Sequence, residues 1–225
     1  MTADPAVGRA APPTGYRLLL PDDWAQIPLR RGDTEAAVRA LVASAFARVP
    51  SDVPRDRLTP LRLELERRLL TAVAEARKAD ALEMYLPVKT AGEVNLGASF
   101  TVSNVRLPAR AGVEGVAAQV TDPTDVAVQL LARDRTHGSE LDLSSGEVDG
   151  AIAVRRERVV PADLERGAEL ATRRVEYLVS VPGDPEQWLV AAFSAIGAGD
   201  PRDDLADAMV EWFDALMRTF RWSWT

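Results

Sequence analysis

Residues 174–196 read RVEYLVSVPGDPEQWLVAAFSAI. Val175, Tyr177, Val179 and Val181 alternate with Arg174, Glu176 and Ser180, the period of two that a half-buried strand requires. Pro182-Gly183-Asp184-Pro185 is a turn. Trp188 to Ile196 is apolar on both sides of the pleat, as a central strand covered on both faces must be. Just beyond, Asp200 is placed to cap a helix and Pro201 to start it. Asp203 and Asp204 suit the positive end of the helix dipole. Leu205, Met209, Trp212, Phe213, Leu216 and Phe220 then follow one helical face.

Working back along the chain, the period changes. Leu82, Met84 and Leu86 alternate with Glu83 and Tyr85, and Ala98, Phe100 and Val102 with Ser99, Thr101 and Ser103, giving two strands. Leu141–Leu143, a turn at Ser145-Gly146 and a strand over 151–158 lie between these and the closing pair. Thr121-Asp122-Pro123 reads as a helix start leading to Val126, Leu130 and Leu131. Before the first of these strands the period is helical. Asp33 can cap a helix striped by Val38, Leu41, Val42, Ala45, Phe46 and Val49, ended by Pro50. Thr59-Pro60 opens a second, striped by Leu61, Leu65, Leu69, Val73 and Ala76. Tyr16 to Leu20 is a short strand candidate.

The order is strand, two helices, mostly strands, then a closing helix. It predicts an α+β fold with a mainly antiparallel sheet, flanked by an N-terminal helical hairpin and a closing C-terminal helix. Residues 1–14, rich in Ala and Pro, are expected to form a disordered tail, and residues 15–225 a single domain.

Composition narrows the function. The 225 residues carry 34 acids against 27 bases, a net charge of −7, with no cysteine and one histidine. Disulfides, thiolate metal sites and a cysteine nucleophile are excluded. The acidic balance argues against a nucleic-acid partner, and no stretch approaches the length of a membrane helix. Residues 1–14 lack the cationic start and apolar core of a secretory signal, so the expected compartment is the cytoplasm. Only Lys78 and Lys89 are lysine; the other 25 bases are arginine, as in a GC-rich genome.

The usual catalytic constellations are missing. His137 lies in the polar stretch from Asp134 to Ser139, and no Gly-x-Ser-x-Gly elbow accompanies it. No phosphate-cradling glycine loop precedes a helix apart from Gly197-Ala198-Gly199, which lacks the lysine and the longer loop. Asp122 with Asp125, and Asp200 with Asp203 and Asp204, sit where helices want caps and first-turn acids. No catalytic residue, metal site or cofactor is predicted.

Two features can carry binding. Arg155, Arg156 and Arg158 lie on one strand and Arg173 and Arg174 open another. If the strands are neighbours, they form a patch able to grip a carboxylate or phosphate, or a wet face paired with Glu157, Glu165, Glu169 and Glu176. Phe220, Trp222 and Trp224 alternate to the C-terminus, so the tail turns extended, and its aromatics either close the core or anchor a partner. The outer face of the helical hairpin, with Arg39, Arg48, Arg62, Glu66 and Arg67, reads as wet.

Leu-Pro-Asp-Asp-Trp at 20–24 with Ile-Pro-Leu at 27–29, Tyr-Leu-Val-Ser-Val-Pro-Gly-Asp-Pro at 177–185, Trp-Leu-Val-Ala-Ala-Phe-Ser at 188–194 and Trp-Phe-Asp-Ala-Leu-Met-Arg-Thr-Phe-Arg-Trp at 212–222 form a pattern. It resembles a group of uncharacterised proteins from high-GC Gram-positive bacteria. The closing strand pair and helix look like the end of PsbP-like domains, which pack helices around a curved antiparallel sheet. The resemblance implies a domain that binds other macromolecules or one without a known activity, and it carries over no catalytic residue.

The expectation is a non-enzymatic, cytoplasmic protein-binding domain, an adaptor or accessory factor, with Trp222 and Trp224 as contacts. Its partner is another protein; self-association is compatible with this, whereas nucleic acid and membrane are not expected. The alternative is a small-molecule-binding protein or carboxylate-based hydrolase. Its pocket would lie between helical hairpin and sheet, with Arg156 or Arg158 as anion anchor.

Overall fold

A computed structural model describes residues 11–47, 49, 54–88, 97–107, 122–124, 126–127, 142–164 and 168–224. Its strands are β1 (Gly15–Arg17), β2 (Trp24–Pro28), β3 (Ala81–Pro87), β4 (Ala98–Arg106), β5 (Asp142–Val148), β6 (Ala151–Val160), β7 (Thr172–Val181), β8 (Asp184–Ala195) and β9 (Arg221–Ser223). The helices α1 (Thr34–Phe46) and α2 (Arg55–Lys78) precede the main sheet strands, and α3 (Asp204–Arg218) closes the fold. Seven strands form an antiparallel sheet in the order β2-β3-β4-β8-β7-β6-β5, and β1 pairs with β9 in a separate ribbon. The fold is α+β, as the run of strands between segregated helices requires.

Strand β8 is central, hydrogen-bonded to β4 on one edge and β7 on the other. Its side chains divide by the pleat. Leu189, Ala191, Phe193 and Ala195 enter the main core under α3, with Phe193 stacked on Phe213 at 4.9 Å between ring centres. Trp188 and Val190 face the other way, onto Val154, Leu178, Val126 and Ala127. The ribbon closes the first core: Trp222 stands edge-on to Phe220, and Tyr16 stacks on Phe220.

The helical pair covers the second face at its β2–β3 end, burying Val38, Val42 and Val73 against Ile27 and Met84. Arg77, near the end of α2, donates to the Thr34 hydroxyl at the start of α1 (2.6 Å), so the helices run antiparallel. Asp33 caps α1 by accepting from the Ala36 N–H at 2.8 Å. None of the helices among the described residues is long and apolar enough to cross a membrane.

Several boundaries differ from the sequence expectation. Helix α2 starts at Arg55, so Thr59-Pro60 lies inside it. Near the N-terminus Pro60 forfeits only one backbone hydrogen bond, which a 24-residue helix tolerates. Strand β5 runs through Ser145-Gly146; the turn falls at Asp149-Gly150, both at positive φ (49° and 74°). That two-residue loop matches the twist of a hairpin. The cap of α3 is Asp203, which accepts from the Ala206 N–H (2.7 Å) and the Ala198 N–H (2.6 Å), whereas Asp200 caps the preceding turn at Arg202 (2.9 Å). Thr14 donates its N–H to the Ser223 carbonyl at 2.7 Å. The first ten residues, Asp125, Leu130, Leu131, His137 and Ser139 lie outside the described residues.

Gly197 is the tightest point of the turn into α3. Its φ is +58°, and a Cβ there would strike the Asp203 carboxylate and come within 2.5 Å of the Asp200 carbonyl. Gly197→Ala is expected to cost about 1–3 kcal/mol through the combined strain and lost cap. Gly146→Ala, with open space and no positive φ, is expected to stay within about 0.5 kcal/mol of the parent. Urea unfolding of the two variants checks the difference; equal stabilities would contradict it.

Candidate functional site

The period of two sorts the arginines of β6 and β7 onto opposite faces. The strands are neighbours, in the register Arg155↔Tyr177, Arg156↔Glu176, Glu157↔Val175 and Arg158↔Arg174. Arg155, Glu157 and Arg173 therefore point towards α3, and Arg156, Arg158, Arg174 and Glu176 towards the face that carries the helical pair.

On the α3 side the charges are matched. Arg155 forks onto Asp214 with two bonds of 2.9 Å and reaches Glu157 at 2.7 Å. Arg173 holds the other oxygen of the buried Glu157 and lies 3.5 Å from Asp207. The Tyr177 hydroxyl donates to Asp214 at 2.8 Å. Burial first, and then this bond to a carboxylate, push the phenol well above its ordinary range, so Tyr177 stays a neutral donor. Burial works against the charge on Arg155, but Asp214 and Glu157 outweigh it and raise its pKa. This network joins α3 to the sheet and leaves little for a ligand.

On the other face Glu176 lies among three guanidinium groups. Glu176 is buried, accepts from Arg156 and lies 2.9 Å from Arg174. Arg158 forms no salt bridge among the described residues. Its Nε, like that of Arg174, is buried without a hydrogen-bond partner. Burial opposes the charge on Glu176, yet Arg174, Arg156 and Arg158 prevail and hold its pKa below the ordinary value.

Further along the same face, an open groove of about 360 Å³ lies between the helices and the sheet. Its walls are Leu41 and Ala45 of α1, Leu65 and Leu69 of α2, and Leu86 and Ser99 of the sheet. The groove is apolar, and neither Arg156 nor Arg158 lines it. The apolar stripe of α2 explains the groove. A 24-residue helix is about 36 Å long and the 13-residue α1 about 20 Å. Helix α1 covers the C-terminal half of the stripe, burying Val73, while Leu61 stays 60% and Leu65 36% exposed. The hairpin surface is therefore less wet than its arginines imply.

The aromatic tail divides. Trp222 is 7% exposed and belongs to the core. Trp224 is 53% exposed, and its indole N–H donates to the Ala11 carbonyl at 3.2 Å. A second cavity, of about 450 Å³, lies under the β1–β9 ribbon. There Glu83 accepts from both Tyr16 and Tyr85, which pins the ribbon to β3. Burial, the neighbouring phenol and the bond to Glu83 raise the Tyr16 pKa, so it too remains a neutral donor.

Comparison of the chain with protein-family models and with curated proteins finds no match. Among the described residues no group of three or more acids and histidines is placed to hold a metal ion.

The arginine clamp makes stability depend on pH through Glu176. The folded chain binds its proton more weakly than the unfolded chain, where the value is near about 4.3. Its contribution is complete above that value and is lost as pH falls through the lower folded one. Glu176→Gln should lower the urea midpoint at neutral pH and flatten its decline between about pH 6 and pH 3. Identical acid limbs in parent and variant would refute the assignment.

Proposed function

We propose that the chain is a non-enzymatic, cytoplasmic protein-binding domain, an adaptor or accessory factor, that docks its partner on the N-terminal half of α2. The observation that carries this reading is the uncovered stretch of the α2 stripe at Leu61 and Leu65, beside an apolar groove. Water-exposed leucines spaced along one helical face and continuous with a groove have the form of a helix-in-groove seat. The partner element is an amphipathic helix, which would take over where α1 stops and continue the same packing. Its natural register follows leucines four residues apart.

The reading moves the contact away from the tail, because Trp222 closes the core. The resemblance to PsbP-like domains, which mostly bind other macromolecules or lack a known activity, is compatible with it. The carboxylate-hydrolase alternative gains no support. Among the described residues the buried glutamates are Glu157 and Glu176, each held by two arginines, and the arginines around Glu176 favour its charged form.

A photo-crosslinking amino acid in place of Leu61 tests the proposal in whole cells. It should yield one defined adduct, and Leu65→Glu in the same chain should abolish it while the far-ultraviolet circular dichroism stays unchanged. The same probe in place of Leu164, a still more exposed leucine elsewhere (76%), should give no such adduct. An adduct of twice the chain mass would make the partner a second copy. Adducts that are equal from both positions, or indifferent to Leu65→Glu, would sink the reading.

A further inference from the structure

We propose that the hollow beside the β1–β9 ribbon, at the end of α3, binds an organic anion that joins a phosphate to a flat ring, the chemistry of a nucleoside phosphate. The hollow holds about 650 Å³ and opens to solvent, a size usual for small-molecule sites. The pleat turns Tyr16 and Trp222 of the ribbon into the core and leaves Arg17 and Arg221 outside. Both arginines line the hollow, and Arg218 of the last turn of α3 joins them. Among the described residues no acid lines it, in a chain with a net charge of −7. Register sets Arg17 directly opposite Arg221, and like charges so placed on neighbouring strands repel. Asp149 lies 3.7 Å from Nε of Arg221, and its other oxygen accepts from the Trp222 backbone N–H at 2.8 Å. Asp214, one turn before Arg218, is held by Arg155 and Tyr177. Arg17 and Arg218 form no salt bridge among the described residues. Elsewhere on the surface the chain does pair its arginines: Arg30 with Asp80, Arg67 and Arg68 with Glu64, Arg106 with Glu186.

The C-terminal end of a helix disfavours an anion while its last carbonyls are unpaired. Here they are taken up. The Leu216 carbonyl accepts from the Thr219 N–H at 2.9 Å, that of Met217 from the Phe220 N–H at 3.2 Å, and that of Arg218 from a terminal nitrogen of Arg221 at 3.0 Å. The last of these bonds also ties the Arg221 guanidinium to the helix end. Leu19 and Trp224 supply the apolar part of the hollow, 76% and 53% exposed. The indole N–H of Trp224 is turned to the Ala11 carbonyl, so the surface that this ring leaves open is carbon. The Leu19 backbone is fixed by its N–H, which donates to the Thr219 hydroxyl at 3.0 Å. Guanidinium forks match phosphate oxygens, and an open indole is a stacking surface for a base. Inorganic phosphate would use only the arginines and a neutral ring only Leu19 and Trp224. A ligand that carries both groups uses the whole lining.

The test uses the full-length chain, labelled with ¹⁵N and titrated with adenosine 5′-monophosphate while sodium chloride holds the ionic strength constant. Adenosine and inorganic phosphate are titrated in parallel. The indole N–H signal of Trp224 and the Nε–H signals of Arg17 and Arg218 should shift saturably, and the indole signal of Trp188, buried in β8, should not. The nucleotide should bind at least about tenfold more tightly than either fragment. Arg218→Gln should weaken it by about tenfold, the effect of losing one charge-assisted donor, and Arg17→Gln provides the same comparison should the first variant fail to fold. Trp224→Ala should reduce nucleotide binding to the level of inorganic phosphate. Shifts that do not saturate, phosphate or adenosine binding as tightly as the nucleotide, or nucleotide binding that survives in the folded variants would overturn the site.

Discussion

Strand β8 has a neighbour on each edge, and its centre is covered on both faces. Its backbone groups are taken up by β4 and β7, and no water reaches Trp188 or Phe193. A polar side chain at these positions would lie in a dry interior without a partner, which explains the apolar run from Trp188 onward. The same constraint dictates the layers. Both faces of the strand need covering, and one helix cannot do it. Helix α3 and the β1–β9 ribbon take one side, whereas the α1–α2 pair and residues 126–127 take separate parts of the other. A strip of sheet between those two covers carries Thr101, Ser194, Arg174, Arg156 and Arg158, all partly exposed.

The arginines show how a one-residue step changes the role of a side chain. Arg155 and Arg156 are adjacent in the chain and have similar surroundings in the sequence. The pleat sends the first under α3, where Asp214 and Tyr177 complete a closed network. It sends the second onto the strip, where Arg156 and Arg174 both meet Glu176. The expected paired face describes the α3 side of these two strands, where acids match Arg155 and Arg173.

Much of the architecture is legible from periodicity alone. The alternation at 175–181, the apolar run from Trp188, and the stripes of α1 and α3 all correspond to observed elements, because long, strongly patterned segments leave little choice. Boundaries are less legible. Asp203 outcompetes Asp200 as a cap because Gly197 lets the chain fold back onto its carboxylate. The turn expected at Ser145-Gly146 falls instead at Asp149-Gly150, where both residues take positive φ. The groove was hidden for another reason. A stripe gives the direction of an apolar face but not how far its partner helix extends, and only the different lengths of α1 and α2 expose Leu61 and Leu65. Nor does sequence fix which strands are neighbours, on which the arginine clamp depends.

Stability and binding can be separated in this fold. The C-terminal half of α2, through Leu69 and Val73, is bound into the second core, so changes at Leu61 or Leu65 leave that core intact. The places where local choices disagree with folding are an apolar stripe left in water and two arginines, Arg17 and Arg221, set face to face. A sequence under selection for stability alone would lose both, at little cost, by substituting a polar residue for Leu61 and an acid for Arg17.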